Sequence, residues 1–201
     1  MVKRLFDVAL SGFGLLVSSP LWLMLSAAIK LEDGGPVFYR QDRVGRGGRR
    51  FTALKFRSMR PDAEAHTGPI QATEHDPRVT RVGRWMRKTA MDELPQLWNI
   101  LCGDMSFVGP RALRPGEIEA ETDGRLVALE DVPGFEHRTH VRPGLTGLAQ
   151  IYARRDVPRR HKFRYDRIYV KHRSWLLDVR LILLSFWISF HGTWEARGRK
   201  Y

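Results

Sequence analysis

Two adjacent carboxylates, Asp92 and Glu93, lie in the stretch TAMDELPQLWNILCGDMSFVGPR (Thr89 to Arg111), directly after Arg84, Arg87 and Lys88. Leu94, Leu97, Trp98 and Leu101 follow helical spacing, Pro95 is tolerated only in a first turn, and Gly103 is a stop signal. The spacing therefore predicts a helix from about Glu93 to Cys102. An acid at its start would cap free amides and face the positive end of the helix dipole, and that is the commoner role for such a residue. The other reading is a reaction centre. One carboxylate can attack phosphorus or hold a divalent cation, the other can orient it, and arginines can neutralise the group in transfer. Cations are at hand: Arg81, Arg84 and Arg87 form a stripe leading to Asp92, and GDMSFVGPR returns Arg111 after glycine and proline punctuation.

The elements that must position these residues begin after Gly34-Gly35-Pro36. The stretches VFYRQDRVG and RRFTALKFRSM read as a β-hairpin turning near Gly45 to Gly48. Alternation puts Thr52, Leu54 and Phe56 on one face and Phe51, Ala53, Lys55 and Arg57 on the other, so Lys55 and Arg57 become neighbouring cations. No GxxxxGK[ST] loop occurs, and the hairpin glycines are turn residues. Pro36 to Arg60 holds eight arginines and lysines against Asp42, a run that fits a solvated face or lipid headgroups. Pro61 to Pro77 is polar and aperiodic, which predicts a long surface loop with the character of a lid. Its His66 and His75 have no partners at metal-ligand spacing. In Arg142 to Gly147 (RPGLTG) rigid and flexible residues alternate, which suits either an ordinary turn or a loop against a ligand, with Arg142 as a nucleotide contact.

The whole chain, 201 residues with 43% hydrophobic content and no repeat, suits one domain with a real core. Its formal charge of +12 calls for a polyanionic partner: nucleic acid, anionic lipid or a phosphorylated substrate. No helix-turn-helix, RNP or zinc-finger pattern supports the first of these. The single cysteine, Cys102, can form no internal disulfide and reads as a packing residue. Val8 to Ile29 is 22 residues without a formal charge, long enough to cross a hydrocarbon core and longer than a secretory signal's apolar region. Pro20, after Ser18 and Ser19, lies near its centre, removing one backbone bond and crowding the carbonyl of Leu16. A kinked span and a re-entrant hairpin fit equally, since serine hydroxyls can satisfy freed carbonyls. Lys3, Arg4 and Lys30 flank the segment, and only a re-entrant path keeps every cation on the cytoplasmic side. Farther on, Arg154 to Arg173 carries nine arginines and lysines against Asp156 and Asp166, and suits a headgroup surface or a solvated helix face. Leu181 to Phe190 is apolar but too short to span, which leaves an in-plane or a core helix.

Five blocks in order, KRLFDVALS with its Ser-Pro, PVFYRQDRVGRGGRRFTALKFRSM, DPRVTRVGRWMRKTAMDELPQLWNIL, GDMSFVGPR and VRPGLTGLAQI, resemble the bacterial sugar transferase family, the small monotopic phosphoglycosyl transferases. The resemblance implies an α+β monotopic membrane protein: a re-entrant helix over 1–33 broken at Ser19 and Pro20, then a catalytic domain over 34–201 with a hairpin and interfacial amphipathic helices. It implies transfer of a sugar-1-phosphate from a UDP-sugar to polyprenol phosphate with release of UMP, at the cytoplasmic face of the bacterial inner membrane. Asp92 would be the covalent nucleophile, Glu93 its partner at a Mg²⁺ site, and Lys55, Arg57, Arg87, Arg111 and, less directly, Arg142 the phosphate or nucleotide contacts. Some family members carry an additional N-terminal membrane domain, and a chain starting at Met1 reads as the minimal form. Two departures stand out. The family commonly has GPRP where this chain has GPRAL, and AQIYARRDVPRR lacks an asparagine-glycine turn. A non-enzymatic, basic membrane-surface scaffold is the rival reading, and a nucleic-acid binder the weaker one.

Overall fold

The computed structural model describes residues 2–63, 65, 76–120, 125–154 and 157–194. His66 and His75 of the expected lid lie outside the described residues. The chain opens with one 32-residue helix, α1 (Val2–Asp33). Its buried positions, Asp7, Ser11, Leu25 and Ile29, recur at helical spacing along one face. Phe13, Leu16, Val17, Leu23 and Met24 stay exposed on the remainder, so α1 is apolar both toward the protein and away from it. It is long and apolar enough to cross a membrane by length and composition.

The break expected at Ser19 and Pro20 does not interrupt this helix. Pro20 has no amide to give to the carbonyl of Leu16, and the Ser19 hydroxyl donates to that carbonyl instead, at 2.8 Å. Trp22 Nε1 in turn donates to Ser18 Oγ at 3.0 Å. The serines supply the missing donor, and the helix runs on.

Both ends of α1 are fastened to the rest of the chain. At the start, Lys3 Nζ meets Asp178 at 2.6 Å and Arg4 donates to the carbonyls of Ile100 and Leu101 at 2.5 and 2.8 Å. At the finish, Glu32 accepts from the amides of Arg81 and Val82 at 2.6 and 3.1 Å, and Asp33 holds the Arg57 guanidinium.

After α1 come the antiparallel strands β1 (Phe38–Val44) and β2 (Arg50–Phe56), joined by a tight turn at Arg46–Gly48 and paired from Phe38↔Phe56 to Val44↔Arg50. The alternation is as expected, with Tyr39, Gln41 and Arg43 sharing the face of Lys55, Ala53 and Phe51. Next are α2 (Arg81–Thr89), a single 3₁₀ turn at Met91–Glu93, and α3 (Gln96–Cys102). The strand β3 (Ser106–Val108) pairs in parallel with β6 (Gly144–Thr146). Between them lie the hairpin β4 (Ile118–Ala120) and β5 (Leu126–Ala128), and the short helix α4 (Phe135–Thr139). Helices α5 (Leu148–Tyr152), α6 (Arg159–His172) and α7 (Trp175–His191) complete the described chain.

One cluster, built on Ile100, Met105, Val108, Tyr169, Leu181 and Ile188, joins α3, β3, α6 and α7. A second, of Leu25, Ile29, Phe56 and Met86, joins the far half of α1 to the hairpin and α2. Thus Leu181 to Phe190 is partly a core helix, while Leu183, Phe186, Trp187 and Phe190 of the same segment face outward. Within the Arg154–Arg173 run, Arg159–His172 forms α6, with Phe163, Asp166 and Tyr169 inside and Arg160, Arg164, Arg167 and Lys171 outside. Cys102, expected to pack, is exposed.

Arg57, expected as a phosphate contact, lies at the cleft lining with its guanidinium engaged by the protein itself. Only 5% exposed, it gives its Nε to the Pro36 carbonyl, both Nη atoms to Asp33 and one of them also to the Met59 carbonyl. Strand β2 ends at Phe56, and beyond it this guanidinium is used up tying the end of α1 to the hairpin. Arg57→Ala leaves Asp33 and two carbonyls short of a donor, and is expected to destabilise the fold by about 3 kcal/mol in chemical denaturation. A loss of phosphate binding at unchanged stability would show that the guanidinium serves substrate after all.

Candidate active site

The acid pair belongs to the 3₁₀ turn between α2 and α3. Helix α2 ends at Ala90 with φ 57°, and Ala90 is the single non-glycine residue with positive φ among the described residues. That left-handed step costs an alanine about 1–2 kcal/mol, and it swings Met91–Glu93 out of the helix axis. The helix α3 begins only at Gln96, with Pro95 before it and no side-chain cap. Neither acid caps it: the expected helix start at Glu93 gives way to a turn in which the amides of Glu93 and Leu94 bond the carbonyls of Ala90 and Met91.

Glu93 Oε1 accepts from Lys55 Nζ at 2.5 Å and from Arg111 Nη2 at 3.1 Å. Burial works to raise the Glu93 pKa, but the charges and hydrogen bonds of Lys55 and Arg111 outweigh it and hold the carboxyl well below the usual carboxylate range. Burial in turn pushes the Lys55 ammonium down, against the pull of Glu93. Asp92 is 8% exposed and accepts no hydrogen bond or ion pair among the described residues. Burial pushes its carboxyl up, Lys55 pulls it back, and the Glu93 charge beside it adds to the rise. One acid is thus fixed as an anion by two cations, while its neighbour is buried with lone pairs unclaimed. Two adjacent carboxylates whose environments drive their pKa values apart make the pair the candidate reactive centre.

The pair opens into a cleft of about 900 Å³. Lys55, Arg87, Arg111, Arg138 and Arg154 line its polar part, and Leu10, Phe13 and Val17 of α1 with Ile182 and Phe186 of α7 line its apolar part. Arg81 and Arg84 point outward, so only Arg87 of the expected stripe reaches the cleft. Arg142 does not line it. Its Nε donates to the Gly103 carbonyl at 2.7 Å and closes the end of α3, because the 142–147 segment is drawn against β3. There Gly144 and Gly109 meet backbone to backbone, and a Cβ on Gly144 would lie 2.0 Å from Gly109 N. This contact, rather than a ligand, explains the glycines of both loops, and it fixes the stem on which Arg111 stands. Arg43 and Arg138 also line the cleft. Arg43 was legible as the strand neighbour of the Lys55 face, whereas nothing in the sequence around Arg138 marked it.

No group of three or more His, Cys, Asp or Glu side chains that could hold a metal ion occurs among the described residues. Mg²⁺ commonly takes only one or two protein carboxylates and completes its shell with water and phosphate oxygens. The unclaimed Asp92 carboxylate, beside the free Oε2 of Glu93, fits that donor set.

The bacterial sugar transferase family model matches residues 1–192. The chain belongs to this family. It is 39% identical over 196 residues to an exopolysaccharide production protein, ExoY, of Rhizobium meliloti, covering 90% of this chain and 82% of the relative. Against the exopolysaccharide production protein PSS of Rhizobium leguminosarum bv. phaseoli it is 41% identical, with 90% and 92% covered. A longer relative from Xanthomonas campestris pv. campestris, a UDP-glucose:undecaprenyl-phosphate glucose-1-phosphate transferase, is 38% identical over 92% of this chain and 38% of its own length. The transferase thus has its acid pair within the matched region.

The raised pKa of Asp92 means that the folded state disfavours its ionised form, so this group costs stability as pH rises through and above the ordinary aspartate range. Asp92→Asn is therefore expected to raise the thermal midpoint at pH 7 in EDTA, and to flatten its fall with pH. A helix cap would give no such rise, because asparagine caps a helix about as well as aspartate.

Proposed function

We propose that this transferase moves a sugar-1-phosphate from a UDP-sugar to polyprenol phosphate, with Asp92 as covalent nucleophile, as the first membrane step of a bacterial glycan such as exopolysaccharide. The observation that carries the reading is the asymmetry of the acid pair: Glu93 is neutralised by Lys55 and Arg111, while Asp92 faces the cleft without a hydrogen bond among the described residues. A nucleophile held by hydrogen bonds would lose reactivity, and one without any cation nearby would remain protonated.

In the first half-reaction an Asp92 carboxylate oxygen bonds to the β-phosphorus, and the bond from that phosphorus to the oxygen bridging to the α-phosphate breaks. UMP leaves with the bridging oxygen and the electron pair. In the second, a phosphate oxygen of polyprenol phosphate bonds to the same phosphorus and the Asp92 carboxylate departs, giving the polyprenyl diphosphate sugar. Lys55, Arg87 and Arg111 hold the phosphate oxygens in line and balance their charge. Mg²⁺, bound by Asp92 and Glu93, would neutralise further phosphate charge. Because Lys55 and Arg111 already pair with Glu93, the cationic site stands organised before substrate arrives, and little reorganisation accompanies its entry.

The membrane part of the reading rests on α1. A straight helix of 32 residues is about 48 Å long, and a single crossing would separate its ends across the bilayer. Here Lys3 and Arg4 at one end, and Glu32 and Asp33 at the other, bind the same body. This supports a monotopic attachment in which both ends of α1 stay on one side of the bilayer, with the catalytic domain at the cytoplasmic face of the inner membrane. Outward-facing Trp175, Leu176, Phe186, Trp187 and Phe190 of α7 would rest at the same interface. The apolar part of the cleft, between α1 and α7, suits a lipid acceptor whose phosphate must reach Asp92. A scaffold without catalysis would have no use for this pair.

Intact-protein mass spectrometry of nanodisc-held enzyme with Mg²⁺ and a panel of UDP-sugars tests the proposal. A sugar-phosphate adduct on the wild type and none on Asp92→Asn, with UMP released and turnover of the variant reduced at least about 10³-fold, is the expected outcome. Release of UDP would mean glycosyl transfer and overturn the reading.

A further inference from the structure

The segment carrying Arg111 is held by three successive main-chain carbonyls. Arg138 Nη2 donates to the carbonyl of Arg111 at 2.5 Å, Arg43 Nη1 to that of Ala112 at 2.8 Å, and the Val44 amide to that of Leu113 at 2.9 Å. The donors are themselves fixed from behind. Arg138 is 6% exposed, gives its Nε to Asp166 at 3.0 Å and lies over the Phe163 ring, 4.8 Å from its centroid. Arg43 Nη2 donates to Gln41 Oε1, and Gln41 Nε2 donates to Tyr39 Oη at 3.1 Å. Tyr39, Gln41 and Arg43 alternate along the face of β1 that Lys55 shares. The same sheet face that presents Lys55 to Glu93 therefore also grips the main chain that presents Arg111 to Glu93.

Two guanidinium groups directed at neutral carbonyls need a reason. Burial, with Arg111 and Arg114 close by, pushes the Arg43 pKa down to about 10, and a carbonyl returns less than a carboxylate would. Among the described residues Arg111 itself has a single ladder contact, an isolated parallel bridge to Gly144, and Ala112 has no ring to limit its backbone. Without the clamp, the Arg111 side chain would start from a loose main chain.

We infer that Arg43 is a positioning residue: it holds the Ala112 carbonyl so that the Arg111 guanidinium stays beside Glu93 and the transferring phosphate. The inference rests on the phosphoryl-transfer reading above. Arg43 acts through the main chain, and its effect belongs to the reacting geometry rather than to nucleotide affinity.

The test uses full-length enzyme in nanodiscs with a UDP-sugar, Mg²⁺ and polyprenol phosphate, with UMP release and thermal midpoint measured together. Proline fixes its own φ and favours an extended residue before it, the conformation that the Arg111 bridge already shows. Arg43→Met is expected to lower kcat by on the order of 10- to 100-fold with KM for the UDP-sugar within about twofold. Ala112→Pro alone should keep wild-type turnover, and added to Arg43→Met it should restore most of the loss. If Arg43→Met fails to fold, Gln41→Met, which leaves Arg43 unanchored, should show a smaller kcat loss with the same rescue. An unchanged kcat, a rise in KM that proline does not correct, or an inactive Ala112→Pro would each overturn the inference. Wild-type enzyme that releases no UMP from any UDP-sugar would instead overturn the functional reading itself.

Discussion

Glu93 Oε1, shared between Lys55 and Arg111, is the contact on which the site depends. It joins three pieces of chain that are far apart in sequence: strand β2, the 3₁₀ turn after α2, and the loop after β3. Each brings a charge that would be costly to bury alone, and together they reduce the desolvation cost that each would otherwise carry. Its second effect falls on the neighbour. With both cations committed to Glu93, Asp92 is left in the same low-dielectric surroundings without a bonded partner among the described residues.

The scaffold around this contact is built to keep it from relaxing. The left-handed step at Ala90 takes the acids off the helix axis, and the backbone contact of Gly109 with Gly144 fixes the stem of the Arg111 loop. Buried polar links secure the rest: Asp7 accepts from Ser106 Oγ and the Phe107 amide at 3.1 Å each, and Tyr169 donates to Asp178 at 2.9 Å, with Lys3 on the same carboxylate. These tie the first turns of α1 to β3 and α7, so the long apolar helix is fixed to the strand that leads into the Arg111 loop.

The charge of +12 resolves into separate roles. Lys55, Arg87 and Arg111 face the cleft. Arg57 and Arg138 line it too but spend their guanidinium groups on carbonyls and carboxylates, as Arg142 does outside it, and Arg160, Arg164, Arg167 and Lys171 remain outside on α6. Composition counts all of these alike. The first group is the one proposed to meet a phosphorylated substrate, while the exposed group suits anionic headgroups.

The sequence alone determined a good deal here, because the determinants are local. Period-two alternation set the hairpin and put Lys55 on the face of Phe51 and Ala53. Apolar length set α1, and the run of motif blocks marked the family and the pair Asp92 and Glu93. Tertiary structure decided what local pattern could not. Whether the pair caps α3 depended on the backbone step at Ala90, where propensity favours a continuing helix. Whether Pro20 breaks α1 depended on the Ser19 hydroxyl reaching the Leu16 carbonyl. Arg57 and Arg142 read as ligand cations because charge is visible in a sequence, while the carboxylate and carbonyl that consume them come from chain 24 and 39 residues away. Arg138 escaped notice for the same reason: its partners, Asp166 and the Arg111 carbonyl, meet it only when the chain has folded.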